Sequence, residues 1–139
     1  MDLASLKAWR KTERDRLIAA RVAITPAQLD AWRLRIDAFL ERSFPGLATS
    51  KLGFCWPIKG EYDARHLLKT LRVRGALTAL PVVISRQAPL AFREWHPGIE
   101  LATGPMDIPY PANSPEVVVN AVLLPMKRRA LAGRVAINR

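Results

Sequence analysis

Three charged side chains stand where they could handle an anion or contact a ligand: Lys7, Arg10 and Glu61. Lys7 and Arg10 are three residues apart in a segment of helical periodicity, so they share a helix face. An arginine can hold a phosphate through two parallel hydrogen bonds, and a lysine adds a point charge. Other basic residues crowd the same segment, with Glu13 and Asp15 among them. Such a run is more often a solvated face, and that plainer reading stays open beside the phosphate site. Glu61 follows a short apolar run at residues 52–56, broken by Pro57 and Gly60. It precedes a stretch with helical spacing. A carboxylate there either steadies a helix start by a few tenths of a kcal/mol, the commoner use, or contacts a ligand. His66 and His96 each lack a second metal ligand at a useful spacing, so no metal site made of side chains is expected. Cys55 lies inside the apolar run and reads as a buried, inert thiol. No G-x-G-x-x-G, no G-x-x-x-x-G-K-[ST] and no Ser/His/Asp arrangement is present, so no catalytic residue is assigned.

The elements that must position these groups read clearly in places. Residues 3–23 predict a helix with a partial apolar stripe, Leu3, Leu6, Trp9, Leu17 and Ile18. Thr25-Pro26 is a helix start, with an N-cap hydroxyl and proline at the first helical position. That second helix should run to about Phe44 and bury Leu29, Trp32, Ile36, Phe39 and Leu40. The two helices together suggest one layer covering a sheet. Residues 51–56 predict a strand, 63–74 a helix closed by Gly75, and 77–84 a second strand with an end or bulge at Pro81. This is a βαβ unit. Residues 90–95 predict an antiparallel strand. Residues 96–115 hold little regular pattern, and seven of the eleven prolines lie between Pro89 and Pro125, which predicts a fixed loop. Residues 116–124, EVVVNAVLL, predict a central strand in which Asn120 needs a hydrogen-bond partner.

The 139 residues suffice for one domain with a real core. No apolar run approaches a membrane span, no secretory leader is visible, and a single cysteine suits a reducing compartment. A cytoplasmic monomer is the expectation. The net charge of +10 invites a nucleic-acid reading, but residues 127–139 hold five basic and no acidic residues, half of the excess. A divergent basic tail after residue 126 is expected.

Four features occur in order: K-A-W-R at 7–10; FCWPIKGEYD at 54–63; ALPVV at 79–83 followed by LAFREW at 90–95; and DIPYP at 107–111 before an apolar strand ending in Pro125. Together they resemble the 5-formyltetrahydrofolate cyclo-ligase family, also called methenyltetrahydrofolate synthetase, over about residues 3–125. The resemblance implies an α/β fold with a central, mostly parallel sheet flanked by helices, here truncated at the C-terminus. It implies ATP-dependent closure of 5-formyltetrahydrofolate to 5,10-methenyltetrahydrofolate with ATP and Mg²⁺. It implies phosphate binding along Leu6, Lys7, Ala8, Trp9 and Arg10. It implies folate contacts from Trp56, Glu61, Phe92, Trp95 and Met106. The family's glycine-rich stretch should follow Pro125, yet Met126 leads into Lys127-Arg128-Arg129 and Gly133 is the one glycine beyond. A shifted frame or truncated gene would give that change, and little or no cyclo-ligase activity is the expectation for the chain as it stands. The competing readings are a small basic nucleic-acid-binding protein and a non-catalytic remnant.

Overall fold

The computed structural model describes residues 2–85 and 87–125, so the divergent tail lies outside the described residues. Helix α1 spans Leu3–Val22 and α2 Pro26–Ser43. Both starts are capped. Asp2 accepts from the Ser5 amide at the first, and Thr25 accepts from the Gln28 amide at the second, with Pro26 behind it. A 3-10 turn at Pro45–Thr49 buries Leu47 and Ala48 and leads into strand β1, Lys51–Phe54. Helix α3, Arg65–Val73, then crosses to β2, Leu77–Val82. Gly75 takes a positive φ of 117° between them, the conformation a helix-ending glycine supplies.

The main sheet has the order β3-β2-β1-β6, with β3 at Ala91–Glu94 and β6 at Ala121–Leu123. β1 pairs in parallel with both β2 and β6, and β3 joins β2 antiparallel. The core lies between this sheet and α3. Leu67, Leu68 and Leu71 of α3 are buried there against Leu52, Phe54 and Leu80, and Trp95 meets Phe54 edge-on at 5.1 Å. Thr78, fully buried, donates to the Trp95 carbonyl, and Arg72 donates to both while pairing with Glu94. Phe92 reaches from β3 across β2 to β1. A methyl added to Gly53 would come within 2.7 Å of its ring, so any larger residue at that crossing would have to push the ring aside.

Several expectations are corrected. The first two helices do not form a covering layer. No residue of α1 is buried, and α2 buries only Leu40 of its apolar stripe. Trp32 (43% exposed) and Phe39 (54%) face outward, because none of the described elements packs over them. Pro81 makes no bulge: it pairs in register with Phe92, and β2 continues one residue further. The Trp95 amide donates to the Thr78 carbonyl, so the alternation of antiparallel pairs leaves Pro81 and Phe92 a non-bonded pair. The absent N–H thus points toward the β1 side, where pairing has stopped at Ala79. Residues 96–115 are not irregular throughout. A small antiparallel hairpin forms there, β4 at Ala102–Thr103 and β5 at Pro109–Tyr110, around a turn at Pro105–Asp107. The strand expected as central is short and lies at an edge of the described sheet. Glu116 makes only a bridge to Arg93, and Val118 is 85% exposed. Asn120 does find its partner. Its side chain accepts from the Lys51 amide, and its own amide donates to the Lys51 carbonyl.

Candidate functional site

The turn after β1 gathers the site. Lys59 and Gly60 both take positive φ, 50° and 74°, and the Glu61 amide donates to the Ile58 carbonyl. Two consecutive left-handed residues make a tight turn, and glycine supplies the second at no steric cost. Glu61 is buried. Its carboxylate accepts from the Ile58 amide at 3.2 Å, so side chain and backbone close the same turn twice. The turn lies past the carboxyl end of β1, between the strand pairings that lead to β2 on one side and β6 on the other. In open α/β sheets that is where ligands bind.

Three helices are fastened to this segment by adjacent residues. Arg21 of α1 donates through Nε to the Lys59 carbonyl at 2.7 Å, and its Nη2 lies 3.9 Å from Glu61 Oε1. Tyr62 donates to Asp37 of α2, which also pairs with Arg33 at 3.3 Å. Asp63 accepts from the Arg65 amide and guanidinium at the start of α3. Arg65 in turn lies 4.3 Å above the Trp56 ring, a cation–π contact that covers one face of the indole.

Burial, then the bond to Asp37, pushes the Tyr62 phenol well above its usual range. Burial alone would raise the Asp63 carboxyl, but the Arg65 side chain and amide outweigh it and hold the group low. The Tyr62 shift has a consequence at high pH. Above about pH 10 an unfolded tyrosine loses a proton that the folded one keeps. Stability contributed by Tyr62 is therefore complete below that pH and is lost as pH rises through it. Tyr62→Phe should show a shallower alkaline loss of stability than the parent in denaturant titrations. Equal slopes for the two proteins would mean the phenol is not held as described.

Arg21 is the residue that reading by sequence order passed over among the crowded basic side chains. The signal was its spacing. Lys7, Arg14 and Arg21 recur every seven residues, and at about 100° per residue all three, with Arg10, fall within roughly 60° of one helix face. Glu13 and Asp15 are taken by Arg16 and Lys11. Lys7, Arg10 and Arg14 are exposed and, among the described residues, lie outside ion-pair distance of any carboxylate. The face that meets the Glu61 turn at one end is therefore a cationic stripe along the rest of its length. Lys7 and Arg10 themselves do not touch Glu61. Arg10 lies about 16 Å, and Lys7 about 21 Å, further along the helix axis than Arg21. Leu6 is half-buried, and Ala8 and Trp9 are exposed beside them.

The other candidate residues are scattered. Trp56 is half-buried against the core. Phe92 lies over Gly53. Trp95, 4% exposed, is a core side chain, closed to a ligand unless the sheet face opens. Met106 is 79% exposed on the β4–β5 turn, where it and Asp107 both hold a strained positive φ near 60°. Cys55 is half-buried rather than enclosed, and His66 is exposed, 3.7 Å from Asp63. Among the described residues no three His, Cys, Asp or Glu side chains gather to hold a metal ion, and no helix is long and apolar enough to cross a membrane.

The fold and the placing of the turn define the class: an α/β domain with a mostly parallel sheet and its candidate site beyond the carboxyl ends of the strands. The chain is similar to the solved structure of 5,10-methenyltetrahydrofolate synthetase from Aquifex aeolicus, with a TM-score of 0.64 and 21% identity over 78% of this chain and 56% of the other. It is also similar to the synthetase of the same name from Mycoplasma pneumoniae, with a TM-score of 0.59 and 15% identity over 84% of this chain and 63% of the other. The chain thus spans less than two thirds of either relative, and likeness at this identity establishes a shared fold. No family model and no curated protein sequence matches it.

Proposed function

We propose that the chain takes part in ATP-dependent cyclisation of 5-formyltetrahydrofolate to 5,10-methenyltetrahydrofolate, with the pteridine at the Glu61 turn and the phosphates along α1. One observation carries this reading. Arg21 grips the Glu61 turn from the same helix face that displays Lys7, Arg10 and Arg14. A buried carboxylate at one end of this helix face and exposed cations along the rest of it suit a ligand pair with ring N–H donors and a polyphosphate.

The residue types fit those tasks. Lys7 and Arg10 are free to neutralise and orient phosphate oxygens, with the segment Leu6 to Arg10 presenting them on two helical turns. Glu61 is fixed by the Ile58 amide and enclosed beside Arg21, so a ring N–H would reach its carboxylate only as the Arg21 contact opens. Trp56, half-buried on the segment that leads into the turn, offers an apolar wall for a flat ring system, and Trp95 supports Phe54 from within the core. Bound ATP would supply the phosphoryl group that turns the formyl oxygen into a leaving group. Any Mg²⁺ would be held chiefly by the nucleotide's own phosphates, as that ion commonly is.

Binding and turnover should be measured on the same protein. Titration with 5-formyltetrahydrofolate is expected to quench tryptophan fluorescence saturably. Glu61→Gln, which keeps an acceptor for Ile58, should weaken that binding by about ten- to a hundredfold. ATP-dependent growth of methenyltetrahydrofolate absorbance reports turnover. Folate binding indifferent to Glu61→Gln would overturn the reading. So would oligonucleotide binding through the basic helix together with no response to folate.

A further inference from the structure

Helix α2 carries a second surface that the folate site does not use. Leu29, Trp32, Ile36 and Phe39 follow one another at three- and four-residue steps. One edge of this stripe is turned to the body of the domain, through Leu40 and the Arg33–Asp37 pair that meets Tyr62. The other edge is open. Trp32, Ile36 and Phe39 line a shallow groove there, bordered by Arg35 and Arg42. Among the described residues neither arginine has an ion-pair partner, whereas the acidic residues of α2 are engaged elsewhere, Asp30 and Asp37 with Arg33 and Glu41 with Arg74. The groove is thus apolar with a purely positive border.

We infer that this groove docks an amphipathic helix whose apolar ridge is flanked by acidic side chains. Charge selects the occupant. A second copy of α2 would bring arginine against arginine, a repulsion that costs affinity. Residues 127–139 of this chain carry only positive charge and are excluded on the same ground. Spacing separates a helix from a nucleic-acid strand. Arg35 and Arg42 are seven residues apart, about 10.5 Å along α2, which is the repeat of one heptad position on a helix lying alongside. Phosphates on a strand recur at much shorter intervals and would need more than two cations and fully open rings. The aliphatic Ile36 between Trp32 and Phe39 fits a ladder of side chains at helical steps, the way an apolar groove reads a helix.

The test uses the full chain and a lactam-locked helical peptide of about three heptads, leucine at the core positions and glutamate at the flanks. Fluorescence anisotropy is expected to show saturable binding that weakens as salt is added. Arg35→Glu with Arg42→Glu should lower the affinity at least about tenfold and create binding to the matching lysine-flanked peptide. These residues are exposed, and circular dichroism of the variant should be unchanged. Binding of both peptides alike by the parent protein would overturn the proposal. Displacement of the acidic peptide by oligothymidine at physiological salt would do so too, as would self-association that depends on Trp32. Absence of binding to either peptide also ends it.

Discussion

Leu68→Ala should lower the unfolding free energy by about 2–5 kcal/mol and the melting temperature by roughly 10 °C. Leu68 is fully buried where α3 meets the sheet, among Leu52, Phe54 and Leu80. With α1 burying nothing and α2 a single leucine, this one interface holds most of the apolar core. A cavity there has few neighbours able to collapse into it. Urea titration of parent and variant gives the difference directly. A loss below about 1 kcal/mol would mean that α3 is not docked on the sheet in solution.

The second large effect falls on the turn. Gly60→Ala should cost about 2–4 kcal/mol in stability and, if the proposed function holds, weaken folate binding as well. Gly60 sits at φ 74°, and a methyl there would approach the Arg21 carbonyl to 2.9 Å and its Cγ to 3.2 Å. The neighbour is helix backbone, so relief requires α1 to move off the turn. Gly46→Ala is the matched control, because an added methyl at Gly46 meets nothing within 4 Å. Equal effects at the two positions would show that α1 does not rest on the turn.

The local signals in this sequence were strong where one residue type has one use. Thr25-Pro26 started a helix, Gly75 ended one, and Leu67, Leu68 and Leu71 faced the core. The misses share a cause. An apolar stripe says that a face wants cover but not that cover lies within the same chain, and Trp32, Ile36 and Phe39 stay exposed. An apolar β-branched run says strand but not position in the sheet, and the strand within residues 116–124 lies at an edge of the described sheet. The place of Glu61 in a turn after β1 was legible because Pro57 and Gly60 framed it. Arg21 was not, since its neighbours hid a seven-residue recurrence and its partner, the Lys59 carbonyl, is backbone and leaves no mark in sequence.

The segment from Lys59 to Asp63 ties down α1, α2 and α3 through successive residues. Because α1 has no buried side chain of its own, its amides should exchange with deuterated water nearly as fast as its grip at Arg21 allows. A molecule that stiffens the turn would then slow exchange along a helix it need not touch throughout, making α1 a remote gauge of occupancy.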